Sequence, residues 1–133
     1  MVAYSFKPQF EMPILSLRKT GTIRNVGKRR HAQAGQQLQF YTGMRTMSCR
    51  LIASATCLSC DPITVDFATG TVTVGLGKVQ CLVNGVDAFA HGDGFESFQA
   101  MAKFWRDNHR ASAITDSVWI RWDPQSLRPA AER

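Results

Sequence analysis

From Ser16 to Arg24 the chain reads Ser16-Leu17-Arg18-Lys19-Thr20-Gly21-Thr22-Ile23-Arg24, which sets three cations beside two threonine hydroxyls in a barely apolar stretch. In an extended segment Thr20, Thr22 and Arg24 share one face, while Lys19 and Ile23 take the other. A bend at Gly21, where backbone angles closed to other residues are open, swings Lys19 round to Thr22. An amine beside a hydroxyl is the pattern of an activated nucleophile. That use requires Lys19 to be neutral part of the time, and Arg18 and Arg24 are cations able to depress its pKa. A passive reading stands beside this one: Lys19 and Arg24 bind phosphate while Thr20 and Thr22 satisfy turn or strand hydrogen bonds.

Further cations follow. Between Met12 and Cys60 there are eight Lys or Arg and no Asp or Glu, and Lys28-Arg29-Arg30-His31 forms a compact cluster after the motif. A one-signed window of that length points to a surface for polyanions, with binding that falls as salt rises. Tyr41 precedes Thr42-Gly43-Met44-Arg45, a loop with its own cation and a glycine that permits close approach, so Tyr41 and Arg45 are candidate contacts to a base and a phosphate. Tyr4, Phe6, Phe10 and Trp122 are further rings on which a base could stack, although a chain this small needs most of its aromatics for the core. Asp93-Gly94-Phe95-Glu96 fits a capping box ahead of a helix, with His91 close by as a substrate contact or a loop residue.

The pattern small-x-Lys-x-x-Thr-x-Arg after an aromatic opening, here Phe6-Lys7-Pro8-Gln9-Phe10 and then Arg18-Lys19-Thr20-Gly21-Thr22-Ile23-Arg24, resembles the ASCH domains of the PUA-like superfamily. Ala34-Gly35-Gln36-Gln37-Leu38 and the helix opening at Gly94-Phe95-Glu96-Ser97 extend the resemblance over most of the chain. The family usually carries Gly where Leu17 stands. The resemblance implies a small β-barrel and a site for RNA or a modified nucleoside. Its N4-acetylcytidine amidohydrolase subgroup further implies a catalytic set of Lys19, Thr22 and a carboxylate just before the helix. Asp93 best matches that position, where the subgroup uses Glu, and Glu96 is the substitute. In this reading Thr22 attacks the acyl carbon of an N-acylated base, and Arg18, Thr20, Arg24, Lys28, Arg29, Arg30, Tyr41, Arg45 and His91 contact substrate or nucleic acid. Activities in the wider family also imply a metal-assisted ribonuclease, for which this chain offers only the Asp93 and Glu96 pair, and a non-catalytic RNA-binding or protein-interaction module remains a third class.

Elements that must position these residues are mostly strands. Gln37 to Thr42, Arg50 to Cys57 and Ile63 to Phe67 alternate as half-buried strands do, Thr69-Gly70 turns into Thr71 to Leu76, Val79 to Val83 runs into the Asn84-Gly85 turn, and Val118 to Trp122 closes the series. Glu11 to Leu17 reads as a short helix with Pro13 in its first turn. The main helix runs from about 97 to 109, where Phe98, Met101, Ala102 and Trp105 make one apolar face of core type. The fold class is therefore α+β, mainly β: a PUA-like small β-barrel with one main helix and a short N-terminal one. With 133 residues and net charge +6, the chain reads as a single domain over 1–124 with a frayed tail at 125–133.

No segment has the apolar length of a membrane span or a signal peptide core, so the expectation is a cytoplasmic protein. Cys57-Leu58-Ser59-Cys60 is the obvious metal or redox suspect. In an ideal strand its thiols fall on opposite faces, no second pair stands at knuckle spacing, and His31, His91 and His109 are scattered. Neither a metal nor a cofactor is expected.

Overall fold

The computed structural model describes residues 1–75 and 85–130. Strand β1 (Val2–Phe6) leads through a single 3-10 turn, Pro8–Phe10, into helix α1 (Glu11–Leu15), followed by β2 (Gly21–Asn25), β3 (Gln37–Thr42), β4 (Arg50–Asp66) and β5 (Thr71–Val74). Helices α2 (Gly85–Gly92) and α3 (Phe98–His109) precede β6 (Ala113–Trp122), a second 3-10 turn at Pro124–Ser126 and the two-residue strand β7 (Arg128–Pro129). The hydrogen-bonded order is β1-β3-β4-β6-β2, with β5 and β7 also on β4. β1 lies parallel to β3 and every other pair is antiparallel.

This sheet is not a closed barrel, which corrects the barrel expected from the sequence. Among the described residues its two outer strands, β1 and β2, share no backbone ladder. The gap is bridged by side chains instead: Arg24 on β2 donates to the Ser5 carbonyl at 2.7 Å, and Arg29 donates to the Ala3 carbonyl. Those two carbonyls lie on alternate, partly exposed residues of β1, and the guanidiniums give them the partners that no neighbouring strand supplies.

One face of the sheet carries the core. Tyr4, Leu38, Phe40, Ile120 and Trp122 are fully or almost fully buried, with the Phe40 and Trp122 rings 4.5 Å apart. The two strands expected over Arg50 to Cys57 and Ile63 to Phe67 are one continuous β4, interrupted by a bulge at Leu58, since Cys57 pairs with Trp122 and Ser59 with Arg121. The extra residue shifts the side-chain parity. Cys57 and Cys60 therefore stand opposite Trp122 and Ile120, on the core side together, where an ideal strand would separate them. Burial raises the pKa of both thiols, as for inert core cysteines.

Helix α1 ends earlier than expected, at Leu15, because Leu17 turns left-handed with φ 68°. Ser97, not Asp93, caps α3, its hydroxyl accepting from the Ala100 N–H at 3.0 Å; Asp87 of α2 accepts from the Phe98 N–H at 2.8 Å. The capping box read at Asp93 to Glu96 is thus displaced by the serine next in line, which frees Asp93 for other work. Gly85, read as part of a turn, starts α2, and the strand read over Val79 to Val83 lies outside the described residues. Of the tail read as frayed over 125–133, the described part to Ala130 is held by β7 against β4 and by the Ala130 N–H donating to the Ile52 carbonyl at 2.8 Å.

Candidate functional site

The unclosed seam is where the sheet opens into a cavity of about 270 Å³. β1 contributes Ser5 and Phe6, β2 contributes Thr22, Ile23, Arg24 and Asn25, and the turn before α1 contributes Lys7 and Phe10. Lys19 stands at the back with Asp93 and Phe95, while Phe104, Trp105 and His109 of α3 form the far wall.

Local backbone geometry explains how Lys19 arrives there. The Arg18 and Lys19 N–H groups both donate to the Pro13 carbonyl, at 3.0 and 2.9 Å, folding the chain back on α1. Leu17 carries the positive φ of that reversal, at the position where a glycine would adopt it without strain. The Thr20 N–H then donates to the Gly92 carbonyl at 2.9 Å, tying the segment to the end of α2.

Lys19 is 3% exposed and Asp93 4%. Lys19 Nζ donates to the Asp93 backbone carbonyl at 2.6 Å and to Asp93 Oδ1 at 3.2 Å. The ammonium also lies over the Phe10 and Phe6 rings, 4.9 and 5.6 Å from their centroids. Desolvation pulls the Lys19 pKa below the usual lysine value, against the attraction of Asp93, and Arg24 adds to the lowering. Desolvation likewise raises Asp93, opposed by Lys19 and Arg24. Gly94, at φ 97°, is what lets the pair close: a Cβ there would stand 2.9 Å from Lys19 Cδ and 3.0 Å from Phe10 Cδ1.

Thr22, 5% exposed, accepts a hydrogen bond from Arg24 Nε at 3.1 Å. Its hydroxyl proton is left to donate elsewhere. The Arg24 guanidinium is stacked near Phe6 and Tyr4, at 4.8 and 5.2 Å, and burial lowers its pKa to about 10, still cationic at neutral pH. Lys19 and Thr22 thus share the cavity, but each hydrogen bond of the Lys19 ammonium goes to Asp93 and not to Thr22.

Of the other residues singled out from the sequence, Arg18 lies just behind the site, donating to the Gly94 carbonyl at 3.1 Å, and Thr20 is partly buried between α2 and β6. Arg29, Arg30 and His31 line a separate shallow hollow of about 420 Å³ along β1, with Lys28 exposed on the same turn. Arg29 stacks 4.4 Å from the Tyr4 centroid, on the ring that Arg24 also faces. Glu96, His91 and Arg45 are exposed, and none of them lines the cavity; nor does Tyr41, whose hydroxyl donates to Gln39 on the outer face of β3.

Sequence reasoning passed over the α3 wall. Trp105 reads as part of an apolar helical stripe, yet it is only partly buried and stacks on His109 at 4.4 Å. No local signal marked it: Phe98, Met101, Ala102 and Trp105 recur at the same helical spacing whether the end of the stripe meets the core or a cavity. Among the described residues no three His, Cys, Asp or Glu side chains group as metal ligands, and no helix is long and apolar enough to cross a membrane.

No protein-family model and no curated protein matches the chain. Two solved structures resemble it. A mutant of ZmASCH from Zymomonas mobilis is 17% identical, with a TM-score of 0.49, over 96% of this chain and 73% of that one. Protein EF3133 from Enterococcus faecalis, assigned to family model DUF984, is 15% identical, with a TM-score of 0.47, over 91% of this chain and 69% of that one. Both are similarities at low identity, and no residue role is carried over from either.

Proposed function

We propose that the seam cavity binds a nucleoside unit, free or within RNA, and hydrolyses an acyl group from the exocyclic amine of its base. One observation carries the reading: a buried lysine–carboxylate pair and a threonine fixed by an arginine face the same aromatic-walled cavity. Its volume of about 270 Å³ lies just below the usual range of ligand pockets, about 300–1,000 Å³, and suits a base with its sugar better than a folded polymer. Phe104 and Trp105 offer stacking surface.

The chemistry follows from what each side chain has left to give. Lys19 spends two N–H bonds on Asp93, and its lowered pKa favours the neutral amine needed to take the Thr22 proton. Arg24, donating to Thr22 Oγ1, stabilises the oxygen as it loses that proton. Thr22 Oγ then bonds to the acyl carbon, and the C–N bond breaks as Lys19 returns the proton to the leaving amine. Water releases the acyl group from Thr22. Asp93 holds Lys19 throughout.

Binding without turnover is the second reading, favoured by the Lys19 ammonium being engaged with Asp93 alone. Incubation with N4-acetylcytidine, followed by chromatography, separates the two. Conversion to cytidine that is lost in Lys19→Ala and Thr22→Ala supports hydrolysis. Saturable binding of nucleosides without conversion leaves a recognition module, and absence of both overturns the proposal.

A further inference from the structure

Charges in the seam do not cancel. Lys19 and Asp93 neutralise each other, but the Arg24 guanidinium has no carboxylate at ion-pair distance among the described residues. Asp93, the carboxylate whose charge acts on it, is already bonded to Lys19. Of the five N–H bonds of a guanidinium, Nε–H goes to Thr22 and one Nη2–H to the Ser5 carbonyl. The rest have no acceptor among the described residues, and Arg24 lines the cavity. Arg29, in the separate hollow, brings a second cation to the same Tyr4 ring, at 4.4 Å against 5.2 Å for Arg24. Folding has thus drawn two guanidiniums together from a window that holds no acid from Met12 to Cys60. Arg24 is partly exposed and Arg29 exposed; a cation partly withdrawn from water with no counter-charge is costly, and the open N–H bonds of Arg24 on the cavity side are free to take an acceptor.

We infer that the cavity takes an anionic ligand, a nucleotide phosphate whose oxygens accept from the open N–H bonds of Arg24, with the Arg29 charge in the neighbouring hollow adding to the attraction. This rests on the proposed nucleoside site and narrows it: the preferred form of the ligand carries a phosphate, and the bare nucleoside is the weaker one. A planar fork is well matched to phosphate oxygens, and two of its donors are already fixed by Thr22 and Ser5, so little side-chain freedom remains to be lost on binding. The phosphate belongs either to a free mononucleotide or to a strand of RNA, which experiment distinguishes.

The test is calorimetric titration of the whole chain, at low and moderate salt, with the four ribonucleosides, their 3′- and 5′-monophosphates, inorganic phosphate and a short single-stranded RNA. The expected result is at least tenfold tighter binding of one monophosphate series than of the matching nucleosides, a gap that narrows with salt. In Arg24→Lys, which keeps the charge and loses the fork, the gap should shrink severalfold. Because Arg24 and Arg29 both bridge to β1, each variant is read as the ratio of monophosphate to nucleoside affinity on the folded fraction, which should fall in Arg29→Gln as well; a loss of structure alone would weaken both ligands alike. RNA binding tighter than the monophosphates identifies a strand as the source, and the reverse identifies a free nucleotide. Nucleosides that bind as tightly as their phosphates overturn this inference and leave the nucleoside site standing. No binding by any of these probes overturns both.

Discussion

Lys19 Nζ lies 2.6 Å from the backbone oxygen of Asp93 and 3.2 Å from its carboxylate, although the two residues are 74 positions apart in the chain, one after α1 and one between α2 and α3. Both are almost wholly out of water. Removing one member leaves a buried charge without its partner, which typically costs about 3–5 kcal/mol. Lys19→Met and Asp93→Asn should therefore each lower the urea midpoint clearly. The double variant should be less destabilised than the sum of the two, because no charge is stranded. Equal and additive losses in a double-mutant cycle would show that the pair carries no coupling.

The same pair sets a pH signature. The Lys19 pKa is lowered on folding, so between its folded value and the ordinary lysine value the unfolded chain binds more protons than the folded one. Stability contributed by Lys19 then rises with pH across that window and is lost as pH falls through the folded pKa. Asp93 is the main influence holding the lysine up. In Asp93→Asn the folded pKa drops further, the window widens downward, and urea midpoints measured at alkaline pH should climb more steeply than in the wild type. A slope unchanged by the substitution would mean that Asp93 does not govern the lysine. Turnover, if Lys19 is the base, should increase with pH through the same folded pKa.

The sequence made part of the cavity lining more legible than the closure of the sheet. Lys19, Thr22, Arg24 and Asp93 could be singled out because residue type and short spacing carry the signal, and all four line the cavity. Glu96, Tyr41, Arg45 and His91 could not be sorted from them, since which face a loop or strand residue takes depends on bulges and turns decided elsewhere. The bulge at Leu58 shows this well, since one unpaired residue moves Cys60 to the core side with Cys57. Closure of the sheet was illegible for a similar reason. Whether β1 meets β2 depends on Arg24 and Arg29 capturing the Ser5 and Ala3 carbonyls, contacts between residues up to 26 apart that no local pattern encodes.

Gly94 offers a probe that removes no reacting group. A methyl placed there meets Lys19 Cδ at 2.9 Å and Phe10 Cδ1 at 3.0 Å, both closer than ordinary contact, and the backbone sits at φ 97°, where alanine is strained. Gly94→Ala should cost about 1–3 kcal/mol in stability. It should also push the lysine off Asp93. Ligand affinity measured on the folded fraction should fall with it, whereas Gly35→Ala, at φ 88° but with open space around it, should lose stability and keep affinity.

Stacking separates the cavity from the surface ring that the sequence also offered. Trp105 forms part of the cavity wall beside His109, whereas Tyr41 lies on the outer face of β3 with its hydroxyl on Gln39. A stacked base is worth about 1–3 kcal/mol by alanine substitution. Trp105→Ala should therefore weaken nucleoside binding by roughly five- to a hundredfold by the same stacking range. Tyr41→Ala should leave it unchanged, and titration of both variants with one nucleoside decides the matter. If Tyr41→Ala loses affinity and Trp105→Ala does not, the base docks on the outer face of the sheet, and the polar groups of the seam then serve the fold and not a ligand.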